Sequence, residues 1–215
     1  MGAISQAFQS GGGWMIPILV VSVFAVAIVI ERFYVLFFRY NINADEFMQQ
    51  IRKFVLAGNV DRAIKLCNAS PNAALPRVVK AGLMRANKGE VAIQNAIEEA
   101  TLEVMPAVRA RTGSLLVMAN IATLLGLLGT IIGLIQAFAG LANAPEEERQ
   151  NVLAAGISVA MYTTAFGLVV AIPTMLAHLF LSRLTVRIGE EVDHYSVMLE
   201  DLLVVQGRGG AADQA

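Results

Sequence analysis

Apolar and polar positions divide the chain into three long uncharged runs and the segments that join them. The two longest lie between Thr112 and Ser182, interrupted only by Pro145-Glu146-Glu147-Glu148-Arg149, and neither contains Asp, Glu, Lys or Arg. Each exceeds the roughly 20 residues that a helix needs to cross the hydrocarbon core. The pattern therefore predicts transmembrane helices over 113–142 and 151–182, with a short outer loop over 143–150. An earlier span is predicted over 14–38. Trp14 suits a membrane interface, Met15 to Ile30 are apolar, and the helix continues to Phe38 with Glu31 and Arg32 at the opposite interface. Residues 1–13 carry no charge, and Ile4, Ala7 and Phe8 ahead of Gly11-Gly12-Gly13 permit an amphipathic turn or two on the membrane surface.

Between the first and second spans, residues 39–112 read as a small soluble helical domain. Phe47, Ile51, Phe54 and Val55 predict a helix that stops at Gly58, and Asn59 is placed to cap a second one, reaching about Cys67. Ser70-Pro71-Asn72 is a turn signal, followed by a third helix from Ala74 to Ala86. From Glu90 onward only Pro106 and Gly113 interrupt the pattern, which predicts one long helix running into the second span with a kink near Pro106. The third span is also expected to outrun the bilayer. Leu184, Ile188, Val192, Tyr195, Leu199 and Leu202 keep a heptad-like spacing through an extension over 183–206, a stripe that calls for neighbouring helices. Residues 207–215, rich in Gly and Ala, read as a disordered tail.

Composition narrows the class. A mean hydropathy of +0.62 excludes an ordinary soluble domain, and a net charge of −1 argues against a nucleic-acid partner. The single cysteine, Cys67, forms no intrachain disulfide and reads as a buried, inert thiol. Charge asymmetry gives an orientation. Arg32, Arg39, Arg109, Arg111, Arg183 and Arg187 flank the spans on one side, while the outer loop sets Arg149 against three glutamates. Positive charge stays in the cytoplasm, so the expected topology is a multi-pass membrane protein with its amino terminus outside and its large loop and carboxyl terminus in the cytoplasm. A cleaved signal peptide would need a cation ahead of the first apolar run, and the first one here, Arg32, follows it.

Candidate chemistry comes from small and hydroxylated residues spaced three and four apart, which keeps them on one helix face. In the second span they are Ala119, Thr123, Gly126, Thr130, Gly133, Ala137 and Gly140; in the third, Gly156, Ala160, Thr163, Gly167, Ala171, Thr174 and His178, with Thr164 alongside. Small residues let helices approach closely in lipid, so packing explains the glycines and alanines. A threonine hydroxyl can close on its own helix or face a polar lumen, and spacing leaves both readings open. Proton relays in membranes use titratable side chains; neither long span contains Asp, Glu, Lys or Arg, and His178 falls late enough in the third span to sit near the cytoplasmic interface. A carboxylate that carries ions across must then come from another chain. There is no nucleophile–base constellation, phosphate loop or metal cluster, so neither an enzyme nor a resident cofactor is expected.

The segment Gly126-Leu127-Leu128-Gly129-Thr130-Ile131-Ile132-Gly133-Leu134 with Ala137-Phe138 resembles the first signature of the MotA/TolQ/ExbB family. The second is matched by Gly156-Ile157, Ala160, Thr163-Thr164-Ala165-Phe166-Gly167-Leu168 and Ala171-Ile172-Pro173. The resemblance implies an all-α membrane protein with three transmembrane helices, the second and third extended into the cytoplasm. It also implies an ion-conducting subunit of a motor: a homopentamer around a dimer of a single-span ExbD/TolR/MotB-like partner that brings a membrane Asp. The family's polar pore positions carry over to Thr130 and Thr164, with Thr163 adjacent; Asn120, Thr123, Gly126, Gly133, Ala160 and Gly167 form the secondary stripe. Two departures stand out. Val159 occupies a position where many relatives carry Glu, and Thr123, one turn after Asn120, replaces a frequent proline. Protons are the ion the resemblance favours, while the Thr163-Thr164 doublet resembles sodium-driven stators and supplies oxygens of the kind a hard cation prefers. The family's loads include nutrient uptake, envelope maintenance, gliding, secretion and flagellar rotation; the short cytoplasmic domain argues against the last. A structural scaffold without an ion pathway is the alternative. A self-sufficient transporter would call for an internal repeat, broken helices or a buried charge, and the sequence has none of these.

Overall fold

The computed structural model describes residues 13–40 and 42–212, with side chains to 206. Seven α-helices are formed among them: α1 (Met15–Tyr34, continued by a π-helical turn Val35–Tyr40), α2 (Ala44–Leu56), α3 (Val60–Ala69), α4 (Ala74–Leu83), α5 (Glu90–Arg109), α6 (Thr112–Asn143) and α7 (Arg149–Ala212). No strand occurs among the described residues. The expected all-α architecture is therefore present, with three stretches long and apolar enough to cross a membrane. The surface turn expected near the amino terminus lies in residues 1–12, outside the described residues. The carboxyl-terminal expectation is corrected in part. Helix α7 continues through Ala212, so residues 207–212 are helical rather than disordered, and 213–215 lie outside the described residues.

Two compact units divide the chain. The first takes Met1–Glu31 and Arg111–Phe180, and so holds most of α1, all of α6 and the first half of α7. Within it α6 and α7 meet through small residues. Ala119, Ala122, Gly126, Gly129, Gly133 and Ala137 are buried on α6, opposite Ala160, Thr163, Gly167 and Ala171 of α7. Long side chains are kept to the outside: Leu124, Ile131 and Ile135 of α6 and Met161, Val169 and Ile172 of α7 are all exposed. In lipid, apolar side chains gain little by leaving the bilayer, so close packing at the small-residue seam holds the pair together. Val21 of α1 packs against the cluster of Ala119, Ala122 and Ala171. At one end His178 Nδ1 lies 3.0 Å from the Thr112 carbonyl oxygen, which gives this histidine a structural partner.

The long second helix predicted from Glu90 is divided. Pro106 stays inside α5 on an exposed position, and the break falls at Ala110-Arg111, where Arg111 takes a left-handed φ of 57°. That conformation costs a non-glycine residue about 1–2 kcal/mol. Arg111 pairs with Glu31 at 2.6 Å, and its carbonyl accepts from Ser114 N at 3.1 Å, so α6 starts a fresh helical turn there.

The second unit takes Arg32–Ala110 and the remainder of α7 from Leu181. Helix α2 is capped by Asn43, whose Oδ1 accepts from Glu46 N at 3.4 Å, and ends where Gly58 adopts φ 72°. Asn59 precedes α3 as expected, but its amide donates to the Ala57 carbonyl and makes no cap bond. Helix α4 stops at Leu83, three residues short of the expected end, and turns lead to Gly89. The heptad stripe of α7 finds its neighbours within this unit. Ile188, Val192, Tyr195 and Leu199 are buried, and a Cβ on Gly82 would meet Ile97 Cγ1 at 2.9 Å and Leu199 Cδ2 at 3.1 Å, so α4, α5 and α7 converge there. Cys67 is buried, and that burial pushes its thiol up to about 12, leaving it protonated and unreactive.

Tyr195 donates to the Asp45 carboxylate, tying α7 to the start of α2. That bond, together with burial and the Asp45 charge, raises the phenol from 10 to about 12. The group is a neutral acid held in its protonated form. Its contribution is complete below pH 10, where the unfolded phenol begins to ionise, and disappears as pH rises through 12. Tyr195→Phe is expected to cost about 1.5 kcal/mol, the low end for a bond to a charged acceptor, because Asp45 is exposed. Thermal unfolding in detergent checks this: the melting-temperature gap between parent and variant should hold from neutral pH to about pH 9.5, narrow above pH 10 and vanish by about pH 12.

Candidate functional site in the paired spans

The residues singled out in the sequence fall into three positions on the α6–α7 pair. Some lie in the seam itself. Thr163 is fully buried, donates to the Val159 carbonyl at 2.7 Å, and fills the space over Gly129, where an added Cβ would come within 2.2 Å of its methyl carbon. Gly133 sits against Ala160, with a Cβ on the glycine meeting Ala160 Cα at 3.2 Å. Gly167 faces Gly126 and the Ala122 carbonyl oxygen, the latter 2.7 Å from where a Cβ would stand.

At the edge of the seam lie the other threonines. Thr164 reaches across and donates to the Gly126 carbonyl at 3.0 Å, the one of these hydroxyl bonds that joins the two helices. Thr130 donates to Leu127 O at 2.6 Å, and Thr123 to Ala119 O at 3.1 Å. All three side chains are half-buried. Asn120 stands apart. At about 100° per residue it is roughly 120° round α6 from Gly126, and it is exposed. The structure thus brings Thr164, Gly126 and Gly167 together and joins Thr163 to Gly129, but does not unite Asn120 with them.

The sequence stripe was offset by a few tens of degrees. Alternate spacing selected Thr123 and Thr130, whereas the contact face of α6 uses Ala122 and Gly129. Gly129 lies in the signature segment but outside the alternating stripe. Its signal was present in the pairing of the smallest residue on one helix with a β-branched one, Thr163, on the other. Chemically, a hydroxyl that donates its proton to a carbonyl keeps its lone pairs free. Thr130 and Thr164 therefore offer acceptor oxygens and no further donor proton. Among the described residues no cluster of His, Cys, Asp or Glu could hold a metal ion.

The model of the MotA/TolQ/ExbB proton channel family matches residues 70–194, more than half of the chain. The chain belongs to that family. The matched part includes both paired spans and all of α4 and α5. Among relatives, the biopolymer transport protein exbB1 of Vibrio cholerae is 41% identical over 86 residues, 38% of each chain. The putative biopolymer transport protein ExbB-like 3 of Synechocystis is 29% identical over 169 residues, 78% of this chain and 80% of the relative. The Tol-Pal system protein TolQ of Haemophilus influenzae is 29% identical over 144 residues, 67% of this chain and 56% of the relative. The match thus spans well under half of the Vibrio protein and just over half of the Haemophilus one. As a member of this family with three apolar helices, the chain is a multi-pass membrane protein.

Proposed function

We propose that five copies of this chain surround a dimer of a single-span ExbD/TolR-like partner in the inner membrane and couple cation flow to rotation or force on a periplasmic or outer-membrane load. The amino terminus is periplasmic in this reading and the carboxyl terminus cytoplasmic, following the arginines that flank the spans. One observation carries it. Residues 112–145 and 150–182 hold no carboxylate or lysine, while Thr130 and Thr164 each spend their proton on a helix carbonyl. Rings of such oxygens accept hydrogen bonds and coordinate cations, but cannot release a proton at neutral pH. They suit a partner's carboxyl group in its protonated form, or a cation bound beside it. Loading that acid gives it a proton or cation to share with the ring; unloading leaves a carboxylate that acceptor-only oxygens cannot hold, so the ring shifts against the partner as each acid loads and unloads. Thr163 supports this from within the seam by setting the approach of α6 to α7.

Protons are the proposed ion, and sodium is the alternative that the Thr163-Thr164 doublet favours. The test is motor output in cells co-expressing the chain and its partner. Collapse of the proton gradient should stop it, and replacement of sodium by potassium should leave it intact. Output that fails only on sodium removal reverses the ion assignment. A purified complex without the partner, or one that is monomeric, removes the motor reading and leaves the scaffold.

A further inference from the structure

We propose that a cleft at the end of the first span is a binding site for the phosphate headgroup of an anionic phospholipid. The cleft, of about 480 Å³, is lined by Tyr34, Phe38 and Arg39 on one side and by Ser70 and Asn72 of the turn before α4 on the other. All of these lie in the second compact unit. Its depth follows from helix geometry. The 20 residues of α1 cover about 30 Å at 1.5 Å each, the thickness of the hydrocarbon core, so Tyr34, Phe38 and Arg39 stand at headgroup level.

The lining chemistry selects an anion. No Asp or Glu is among the described residues that form the cleft. Arg39 is exposed; its guanidinium donates to Asn72 Oδ1 at 3.3 Å and has no carboxylate partner among the described residues. That bond occupies the oxygen end of the Asn72 amide and leaves its NH2 group to donate. The Ser70 hydroxyl adds another donor, and the free edge of the guanidinium can grip phosphate oxygens in pairs. The remaining wall selects a lipid over free phosphate. Tyr34 and Phe38 lie 5.4 Å apart, centroid to centroid, and are 64% and 72% exposed. Such rings are costly against water, yet belong at a membrane interface, where they can flank a glycerol and the first carbons of an acyl chain. The π-helical turn Val35–Tyr40 carries Phe38 and Arg39 together at this level. The proposal requires the first span to lie in a bilayer and is independent of the ion pathway.

The test uses the full chain reconstituted with its partner in bilayers that contain a phosphatidylglycerol analogue with a photoactivatable headgroup. Adducts mapped by mass spectrometry should fall within residues 34–40 and 69–73. Arg39→Gln should weaken labelling about tenfold, equivalent to about 1.4 kcal/mol, Arg39→Lys should retain most of it, and excess inorganic phosphate should leave it unchanged. Asn72→Ala, which removes one donor and the oxygen that holds Arg39 without altering the sequence of α1, provides a second reduction should Arg39→Gln fail to assemble. Adducts elsewhere, equal labelling by a phosphatidylcholine analogue, or displacement by inorganic phosphate would each overturn the assignment, the last in favour of a free-phosphate site.

Discussion

Gly167→Leu is expected to abolish assembly of the complex, and Gly167→Ala to lower its stability by about 1–3 kcal/mol, the range for overpacking a close contact. The reason is what lies opposite. A Cβ at this position would stand 2.7 Å from the Ala122 carbonyl oxygen and 3.1 Å from Gly126 Cα. Both are backbone atoms of α6, so no side chain can rotate away and the helices themselves must separate. Separation would lengthen the Thr164 to Gly126 bond, now 3.0 Å, and loosen Thr163 from Gly129. A control lies on the same helix as those partners. A Cβ on Gly113 meets nothing within 4 Å, so Gly113→Ala should be neutral or gain up to about 0.5–1 kcal/mol, the margin by which alanine exceeds glycine in a helix. Apparent melting temperature and size-exclusion profile of the purified complex decide the matter. Equal stability for Gly167→Ala and the parent would mean that α6 and α7 do not approach as described.

This contact explains why some of the molecule could be read from its sequence and some could not. The spans were legible because lipid imposes one rule on every residue in them: the backbone must satisfy itself and the side chains must be apolar. The α7 stripe through Ile188, Val192, Tyr195 and Leu199 was legible for a related reason, since a 3.5-residue spacing of large apolar groups has few uses other than packing. The seam between α6 and α7 was harder. Close approach depends on the sum of two residues, and Gly129 acquires its importance only from Thr163 opposite it. A single-helix pattern cannot contain that sum, so it drifted to Thr123 and Thr130 at the edge. The break at Arg111 was illegible for a different cause. Pro106 is the expected helix breaker, but it sits where α5 is exposed, while the left-handed residue draws on an ion pair with Glu31, 80 positions away in the sequence. Arg39 and Asn72 likewise meet across 33 positions, through a turn whose presence, but not its partner, was readable.

The threonine doublet gives the sharpest division between a packing role and a pathway role, because adjacent residues face different surroundings. Valine matches threonine in shape and removes only the hydroxyl. Thr163→Val loses a bond to Val159 O inside a fully enclosed contact, where that carbonyl already serves the helix ladder and the methyl over Gly129 remains. Assembly and ion-driven output should stay within about twofold of the parent, a barrier change of about 0.4 kcal/mol. Thr164→Val loses the bond to Gly126 O, for which membrane proteins typically register about 0.6 and at most about 1.7 kcal/mol. The complex should therefore still form. Under the proposed mechanism, however, it also loses an acceptor oxygen of the ring, and output should fall at least about tenfold, or about 1.4 kcal/mol in the barrier. Thr164→Ser restores the oxygen without the methyl and should recover most of the loss. Thr130→Val should behave like Thr164→Val, since its hydroxyl also sits at the seam edge and bonds Leu127 O. Measured as motor output per assembled complex, the four variants separate the alternatives. Full output from Thr130→Val and Thr164→Val would leave the hydroxyls as packing groups and favour the scaffold. Collapse in Thr163→Val with Thr164→Val intact would mean that the seam opens in the working assembly and that the enclosed oxygen is the one the ion meets.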